Sequence, residues 1–395
     1  MIVGRLPGLG LDRTGIAVLG AIAMIVATGS SPADAARAVD FSTLSLLFGL
    51  MVVSAQFRLA GAYARIARFI ASANTGAATL LLLVVATAGT LSAVLANDIV
   101  VLAIAPVLID ITRDRKLNPV PFLIGLAAGA NAGSAATLIG NPQNILIGQT
   151  LDLSFAHYLF MDALVPSAIA VFVTWLVIIR VFGSRLKSTE YPAPGEVDRE
   201  DLVPFDRFQA SKAILTVVVV GVIFVGGWWQ RDVVALVAAG FLLTSRRLAS
   251  WRFLVLVDWN LLSLFAALFV INAAVADTGA FSSVADTLFE GGVDIENPAW
   301  LFAFSAVLSN VVSNVPATII LLPYATREAS GAALALSSTL AGNLFIVGSI
   351  ANIIMVEQAA KRRITVSWRT HAAAGIPITL ATLVLAGVWL AIRYS

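Results

Sequence analysis

Apolar runs fill most of this chain and are separated by short polar loops. Runs long enough to cross a bilayer, about 20 residues each with some slack, lie near 14–29, 41–57, 119–148, 163–183, 211–229, 232–246, 258–275, 331–356 and 372–393. Two more, 77–111 and 299–325, are interrupted midway by asparagine, small residues and proline. The interruptions correspond. Adding 217 carries Ser92 onto Ser309, Val94 onto Val311, Asn97 onto Asn314 and Pro106 onto Pro323. Gly140-Asn141-Pro142-Gln143-Asn144 answers to Gly348-Ser349-Ile350-Ala351-Asn352 at an offset of 208, and Asp40, Leu44, Ser45 and Leu46 find identical partners at an offset of 218. Recurring offsets across separate motifs predict an internal duplication, and paired polar-interrupted apolar segments in two halves point to a transport site.

The pattern predicts an all-α polytopic membrane protein built from two inverted-topology repeats, each with a re-entrant helical hairpin and a broken transmembrane helix. The first repeat covers 1–183 (hairpin 77–111, broken helix 119–148) and the second 211–395 (hairpin 299–325, broken helix 331–356). A polar linker over 184–210 joins them, where Lys187, Glu190, Glu196, Asp198, Arg199, Glu200 and Asp201 gather with Pro192 and Pro194. The alternative is that both interrupted runs are ordinary spanning helices with a polar kink.

Composition agrees: 59% hydrophobic and 12% charged residues leave too little polar surface for a water-soluble globule of this length. The net charge of +2 does not indicate nucleic acid, because the basic residues sit in loops between apolar runs, where they orient a membrane protein. The absence of cysteine removes thiolate chemistry, and two histidines, His157 and His371, are too few for a histidine-rich metal site. No metal centre or resident cofactor is expected, apart from Na+ or H+ as a coupling ion. Arg5 and Arg13 precede the apolar run 14–28. That run reads as a first transmembrane helix rather than a secretory signal.

Arg58, Arg65, Arg68, Arg113, Arg115, Lys116, Arg246, Arg247, Arg252, Lys361, Arg362 and Arg363 all fall on one side if 77–111 enters and leaves on the same face. That makes it a hairpin with its tip near Asn97 and a second leg of about 15 residues, too short to span comfortably. By the positive-inside rule that side and the N-terminus are cytoplasmic, in a plasma (inner) membrane. The second hairpin is preceded by Asp277, Asp286, Glu290, Asp294 and Glu296, with no basic residue expected nearby, so it opens to the other face. Arg58, Arg65 and Arg68 read as an amphipathic segment lying along the membrane. Gly125, Gly129 and Gly133 read as a close-packing stripe, and Trp228, Trp229, Trp251 and Trp259 as an interface belt. Glu357 reads as a helix-end partner of Lys361 and Arg362, and His157 as a solvated loop residue.

A helix that stops inside the bilayer exposes backbone groups that lipid cannot satisfy, so the breaks must face protein or a watery cavity. Asn97, Asn131, Asn141, Asn144, Asn314, Asn343 and Asn352, with Ser134, Thr137, Ser313, Thr318 and Ser349, supply donors and acceptors there. Helix C-terminal carbonyls favour a cation and N-terminal amides an anion or polarised oxygen. Asp98 is the one carboxylate at a hairpin tip, its counterpart being Val315. It is the candidate H+ or Na+ coupling group, or else a hydrated helix cap.

At these residues the sequence resembles the ion transporter superfamily, which includes the arsenical-pump membrane protein, the sodium- or proton-coupled dicarboxylate and citrate carriers, and the pink-eyed-dilution type of anion transporter. Leu95-Ala96-Asn97-Asp98 with Pro106, the run Asn131 to Asn144, Ser313-Asn314-Val315-Pro316-Ala317-Thr318 and Gly348-Ser349-Ile350-Ala351-Asn352 carry the resemblance. It implies a secondary transporter with tip-and-break ion and substrate sites, dimeric through its remaining helices. Dicarboxylate carriers of the superfamily bear Ser-Asn-Thr at both tips. Ala96-Asn97-Asp98 and Ser313-Asn314-Val315 depart from that and stand closer to the arsenite permease branch.

The expected cargo is a small oxyanion or a neutral metalloid acid such as arsenite or antimonite, held through its hydroxyls and moved with H+ or Na+. A Na+/H+ antiporter, a dicarboxylate or citrate symporter and a passive channel are the alternatives. An intramembrane enzyme lacks a motif, and nucleotide-driven pumping would need a separate ATPase subunit, since no nucleotide-binding motif is present.

Overall fold

A computed structural model describes residues 11–187 and 203–395, so Arg5 and the acidic part of the predicted linker lie outside the described residues. With no water in the hydrocarbon to satisfy backbone groups, a spanning chain closes its hydrogen bonds within helices, and among the described residues the only extended pairing is an isolated bridge between Leu117 and Lys187. The first half runs α1 (Arg13–Thr28), α2 (Pro32–Ala38), α3 (Phe41–Leu59), α4 (Ala62–Ser72), α5 (Ala77–Val94), α6 (Asn97–Asp114), α7 (Pro119–Ser134), α8 (Pro142–Thr150), α9 (Phe155–His157) and α10 (Leu164–Phe182), with a π-helical turn at Tyr158–Ala163 between the last two. The second half runs α11 (Arg207–Gly226), α12 (Arg231–Leu243), α13 (Ser250–Leu254), α14 (Trp259–Ala276), α15 (Ala280–Glu290), α16 (Pro298–Val312), α17 (Asn314–Leu321), α18 (Ser330–Ala341), α19 (Ile350–Lys361) and α20 (Trp368–Arg393).

Among the described residues, six segments are long and apolar enough to cross a membrane: Phe41–Leu59, Ala77–Val94, Phe155–Arg185, Arg207–Gly226, Trp259–Ala276 and Trp368–Arg393. The starts of α3 and α14 are set by the same device. Asp40 accepts from the Thr43 amide and Asp258 from the Leu261 amide, each carboxylate satisfying an orphan donor of the first turn.

The helix directions follow from hydrogen bonds at the helix ends. Call the face where α3 begins the upper face and the one where it ends the lower. Gln56 Nε2 donates to Gln209 Oε1 (2.8 Å), so α11 starts at the lower face. Ser42 Oγ donates to Asp232 Oδ2 (2.6 Å), so α12 starts at the upper one. After α12 the Arg247 guanidinium lies 5.4 Å from the Phe208 ring centre, back at the lower face. Only the short α13 intervenes before α14, which therefore runs opposite to α3.

Arg115 Nη2, just past α6, donates to the carbonyls of Ala73 (3.0 Å) and Thr75 (3.1 Å), just before α5. The α5–α6 hairpin thus enters and leaves at the lower face. Around α16–α17 the mouth is closed by an ion pair of Arg327 with Asp294 (2.5 Å) and a bond from Thr326 to Glu296 (3.1 Å).

The interior is α7 and α18, in which every residue is buried. Close approach explains the glycine stripe of α7. A Cβ at Gly129 would lie 2.9 Å from the Val85 carbonyl oxygen, and one at Gly133 would strike the Gly89 backbone of α5. Around this core the halves exchange arms. α12 packs on α3, where a Cβ at Gly49 would sit 2.6 Å from Ala235 backbone atoms, and α1 packs on α14 through Ala17, Ala21 and Ala267. Gly49 and Ala267 are 218 apart. Trp228, Trp229, Trp251 and Trp259 are exposed, as an interface belt requires.

Several expectations are corrected. The second leg of the first hairpin is 18 residues rather than about 15, because α6 continues through Arg113 and Asp114 to the lower face. A basic residue does stand beside the second hairpin, namely Arg327, and Asp294 pairs with it. Glu357 is exposed, and Arg362 reaches across to α6. Its guanidinium binds Asp110 at 2.7 Å, both side chains being mostly covered. The run expected at 163–183 is part of a continuous segment from Phe155 to Arg185, so His157 is exposed as expected but stands in a helix rather than a loop, 3.9 Å from the buried Asp162, with which Tyr394 also bonds at 3.0 Å.

Candidate substrate and ion site

Both helix breaks and the first hairpin tip meet in one buried hydrogen-bond network, and the second tip bonds to the frame of the second break. The sequence makes the breaks through residues that cannot continue a helix cheaply. Pro142 opens α8 after the extended Asn141, whose side chain caps the Asn144 amide, and Ser349 caps α19 by accepting from the Ala351 amide. The first tip turns at Leu95 and Ala96, and the second at Ser313, whose φ of 85° is a left-handed conformation.

Asn131 is one hub. Its Oδ1 accepts from Asn97 Nδ2 (2.9 Å) and from Ser349 Oγ (2.9 Å), and its Nδ2 donates to Asn343 Oδ1 (2.8 Å). One side chain therefore ties the first hairpin tip to the second broken helix. The other hub is Thr339, whose Oγ1 accepts from Asn141 Nδ2 (3.1 Å) and Gln143 Nε2 (3.2 Å) and donates to Asn144 Oδ1 (3.1 Å). Asn131 and Thr339 are 208 apart, as are Asn141 and Ser349, so the bond from Asn141 to Thr339 mirrors the bond from Ser349 to Asn131.

The mirroring extends to the frames of the breaks. Asn144 Nδ2 donates to the carbonyls of Ser134 (3.5 Å) and Thr137 (3.0 Å), and Asn352 Nδ2 to those of Gly342 (2.8 Å) and Phe345 (3.2 Å). At the tips the Asn97 backbone N–H donates to the Gly140 carbonyl (3.2 Å), and the Asn314 side chain, with its amide assigned in the orientation that turns the NH2 toward them, donates to the carbonyls of Ser338 (3.2 Å) and Gly348 (3.0 Å). Orphan carbonyls of interrupted helices are satisfied by side-chain amides, which is the condition for irregular backbone at this depth.

Of the residues expected from sequence, Asn97, Asn131, Ser134, Asn141, Asn144, Asn343 and Ser349 join this network directly. Thr137 pins the first break to the hairpin by donating to the Ala93 carbonyl at 2.6 Å. Asn314 and Asn352 hold the second break. Ser313 forms the second tip without a capping bond from its side chain. Thr318 is fully buried, and among the described residues its hydroxyl has no partner.

Asp98 is buried, but it is not the cap of α6. Ala96 occupies that position, and the Asp98 carboxylate accepts from the Ile99 amide at 2.9 Å.

The sequence reading missed Thr339, Gln143 and Ser338. Thr339 had a usable signal, since the offset of 208 that relates Asn141 to Ser349 carries Asn131 onto it. Buried oxygens without partners among the described residues lie at the tips and breaks as well. They include the hydroxyls of Ser92 and Ser309, which are counterparts at an offset of 217, and the amide oxygens of Asn310 and Asn352. A group with acceptor capacity left over in a buried site is one that a cation or a hydroxylated solute can use.

Known proteins agree with this architecture. The chain matches the citrate transporter family (CitMHS) over residues 1–333. It is 29% identical over 374 residues to an uncharacterised transporter of Mycobacterium tuberculosis, covering 90% of this chain and 87% of that one. It is 30% identical to the inner membrane protein YbiR of Escherichia coli K12 (86% and 85% covered) and 27% identical to a silicon efflux transporter of Oryza sativa subsp. japonica (95% and 91% covered). Among solved structures, the YdaH transporter of Alcanivorax borkumensis superposes with a TM-score of 0.56 at 17% identity, covering 97% of this chain and 89% of that one, which is a likeness of fold. The resemblance read from the tips and breaks and the match over the first 333 residues thus converge: this chain is an integral membrane transporter belonging to the citrate transporter family of the ion transporter superfamily.

Proposed function

We propose that this chain is a secondary active transporter that carries a small neutral oxyacid, or the corresponding small oxyanion, together with H+ or Na+. It works by alternating access between two inverted repeats, 1–183 and 211–395, joined by the segment 184–210. The observation that carries the reading is the network centred on Asn131 and Thr339, in which the breaks of both halves and the first hairpin tip are held by amides and hydroxyls. No lysine or arginine takes part in the bonds of that network. Amide and hydroxyl groups complement an uncharged polyhydroxy acid on both its donor and acceptor sides.

A dianion placed beside an ionised Asp98 would be repelled, whereas an uncharged acid would not. The silicon efflux relative fits this reading, because silicon in neutral water is an undissociated oxyacid. A citrate-type carrier is the second reading, favoured by the family that matches. The basic residues of the lower face, Arg58, Arg113, Arg115, Arg247 and Arg362 among them, make that face the cytoplasmic one.

Asp98 is the coupling acid in this account. In proteoliposomes loaded to give a pH gradient, arsenous acid flux through the wild type is saturable and gradient-driven. Asp98→Asn leaves the folded protein intact and removes the driven component. Driven flux of wild-type size in Asp98→Asn overturns the assignment, and citrate flux with no arsenous acid flux decides for the second reading.

A further inference from the structure

The start of α12 clamps the end of α8 at the upper face. Arg231 Nη2 donates to the Gly148 carbonyl at 2.6 Å and lies 3.9 Å from Asp152, while Gln149 Nε2 donates to Ser42 Oγ (2.8 Å), which donates in turn to Asp232. This joins the exchanged-arm pair α3–α12 to the helix that leads directly from Asn141 at the central network. A polar cleft of about 600 Å³ opens beside it, lined by Ser42, Gln149, Asp152, Arg231 and Asp232 among others. Water can therefore replace these bonds if the clamp opens.

The duplication supplies each of these groups a counterpart at the lower face. An offset of 218 carries Arg231 onto Arg13, the first residue of α1, and Ser42 onto Asn260. An offset of 208 carries Gly148 onto Val356 and Gln149 onto Glu357. The counterparts sit where the geometry requires. Thr14 Oγ1 donates to the Asn260 carbonyl at 3.3 Å, fixing the start of α1 beside the start of α14. Arg113 Nη2 donates to the Arg362 carbonyl at 2.8 Å, fixing the end of α19 at the same lower face.

The counterparts are also chemically matched with roles reversed. The Gln149 amide donates to the Ser42 hydroxyl, whereas a Glu357 carboxylate has the chemistry to accept from an Arg13 guanidinium and an Asn260 amide. Yet this second clamp is open. Among the described residues the Arg13 guanidinium has no hydrogen-bond or ion-pair partner, and Glu357 and Asn260 are exposed. α8 packs on α3, while no comparable packing joins α19 to α14.

We propose that Arg13 and Glu357 form a lower-face clamp that closes when the Arg231 clamp opens, so that the two clamps hold the alternate states of the transport cycle. The inference rests on the alternating-access reading above and adds the groups that make the two states mutually exclusive. A buried transporter site open to both faces at once would leak. Two clamps built from counterpart positions and closed one at a time prevent that.

The cysteine-free chain is a ready background for the test. Arg13→Cys with Glu357→Cys, and separately Ser42→Cys with Gln149→Cys, are oxidised in membranes, and the joined peptides are quantified by mass spectrometry. The upper pair joins rapidly at rest and the lower pair slowly. Adding Arg231→Ala speeds the lower pair about tenfold, the weight of one hydrogen bond from a charged group in a two-state equilibrium. In a second measurement, Arg13→Glu and Glu357→Arg each lower turnover of arsenous acid, and the double exchange restores it.

A lower pair that never joins, with or without Arg231→Ala, overturns the clamp, as does a lower pair that joins as fast as the upper one at rest. The upper disulfide separates the two levels. If it stops flux while the lower pair never joins, the clamp fails and alternating access stands. If flux continues through the disulfide-locked protein, alternating access itself fails.

Discussion

Asn131→Ala should be among the most damaging single truncations in the network, and the structure gives its size. The side chain makes three hydrogen bonds, to Asn97, Asn343 and Ser349, at 2.9, 2.8 and 2.9 Å, in a residue only 2% exposed. Interhelical hydrogen bonds in membrane proteins average about 0.6 kcal/mol and reach about 1.7 kcal/mol. Truncation also leaves Asn97 Nδ2 and Asn343 Oδ1 buried without this partner, and an unsatisfied buried group costs about 1–3 kcal/mol. Asn343 and Ser349 keep other bonds, to the Ala128 carbonyl and from the Ala351 amide. The expected loss is therefore about 2–4 kcal/mol in all.

The assay is reversible denaturant unfolding in detergent micelles, with Ser337→Ala as control. The Ser337 hydroxyl bonds only to its own helix, at the carbonyls of Ala333 and Leu334, and its loss should cost under about 0.5 kcal/mol. A cycle of Asn131→Ala with Ser349→Ala should give a coupling of about 0.6 kcal/mol or more. Equal effects of Asn131→Ala and Ser337→Ala, or zero coupling to Ser349, would refute the view that this amide joins the two halves.

Other substitutions probe different parts of the account. Gly133→Ala drives a methyl group into the Gly89 backbone and should cost at least about 1–3 kcal/mol, seen as loss of the monodisperse peak on size exclusion. Gly221→Ala on α11 meets nothing within 4 Å and should stabilise by up to about 1 kcal/mol. Asp110→Asn breaks the mostly covered pair with Arg362 and should lower stability measurably. Arg327→Ala breaks a more exposed pair with Asp294, worth about 1 kcal/mol or less and weakening further in high salt. Thermal unfolding at two ionic strengths distinguishes the last two.

The breaks and tips were legible in the sequence because asparagine, serine and proline inside an apolar run have no role that lipid can satisfy. Asn97, Asn141 and Asn314 therefore declared themselves. Thr339 did not, since a threonine beside two serines in an apolar helix commonly bonds to its own preceding turn, as Ser337 and Ser338 do here. Its role as a hub depends on what lies across from it. The exchange of arms was also invisible. Ala17, Ala21 and Ala235 are the small residues that close packing of any two helices needs, and nothing in them names the partner. The length of α6 was misread because Arg113 and Asp114 look like loop residues, although Arg113 reaches the Arg362 carbonyl from within the helix. The Asp162–Tyr394 bond joins residues 232 positions apart, beyond any local pattern.

Paired truncation of the two hairpin tips tests the central claim most directly. Initial rates of arsenous acid uptake are measured against concentration in proteoliposomes containing the wild type, Asn97→Ala or Asn314→Ala. If both halves build one site, the wild type saturates and each variant raises the half-saturating concentration by about tenfold, the loss expected for one buried hydrogen-bonding group. Uptake that rises linearly with concentration, or a variant at either tip that behaves as the wild type, would contradict a shared site made by the two tips.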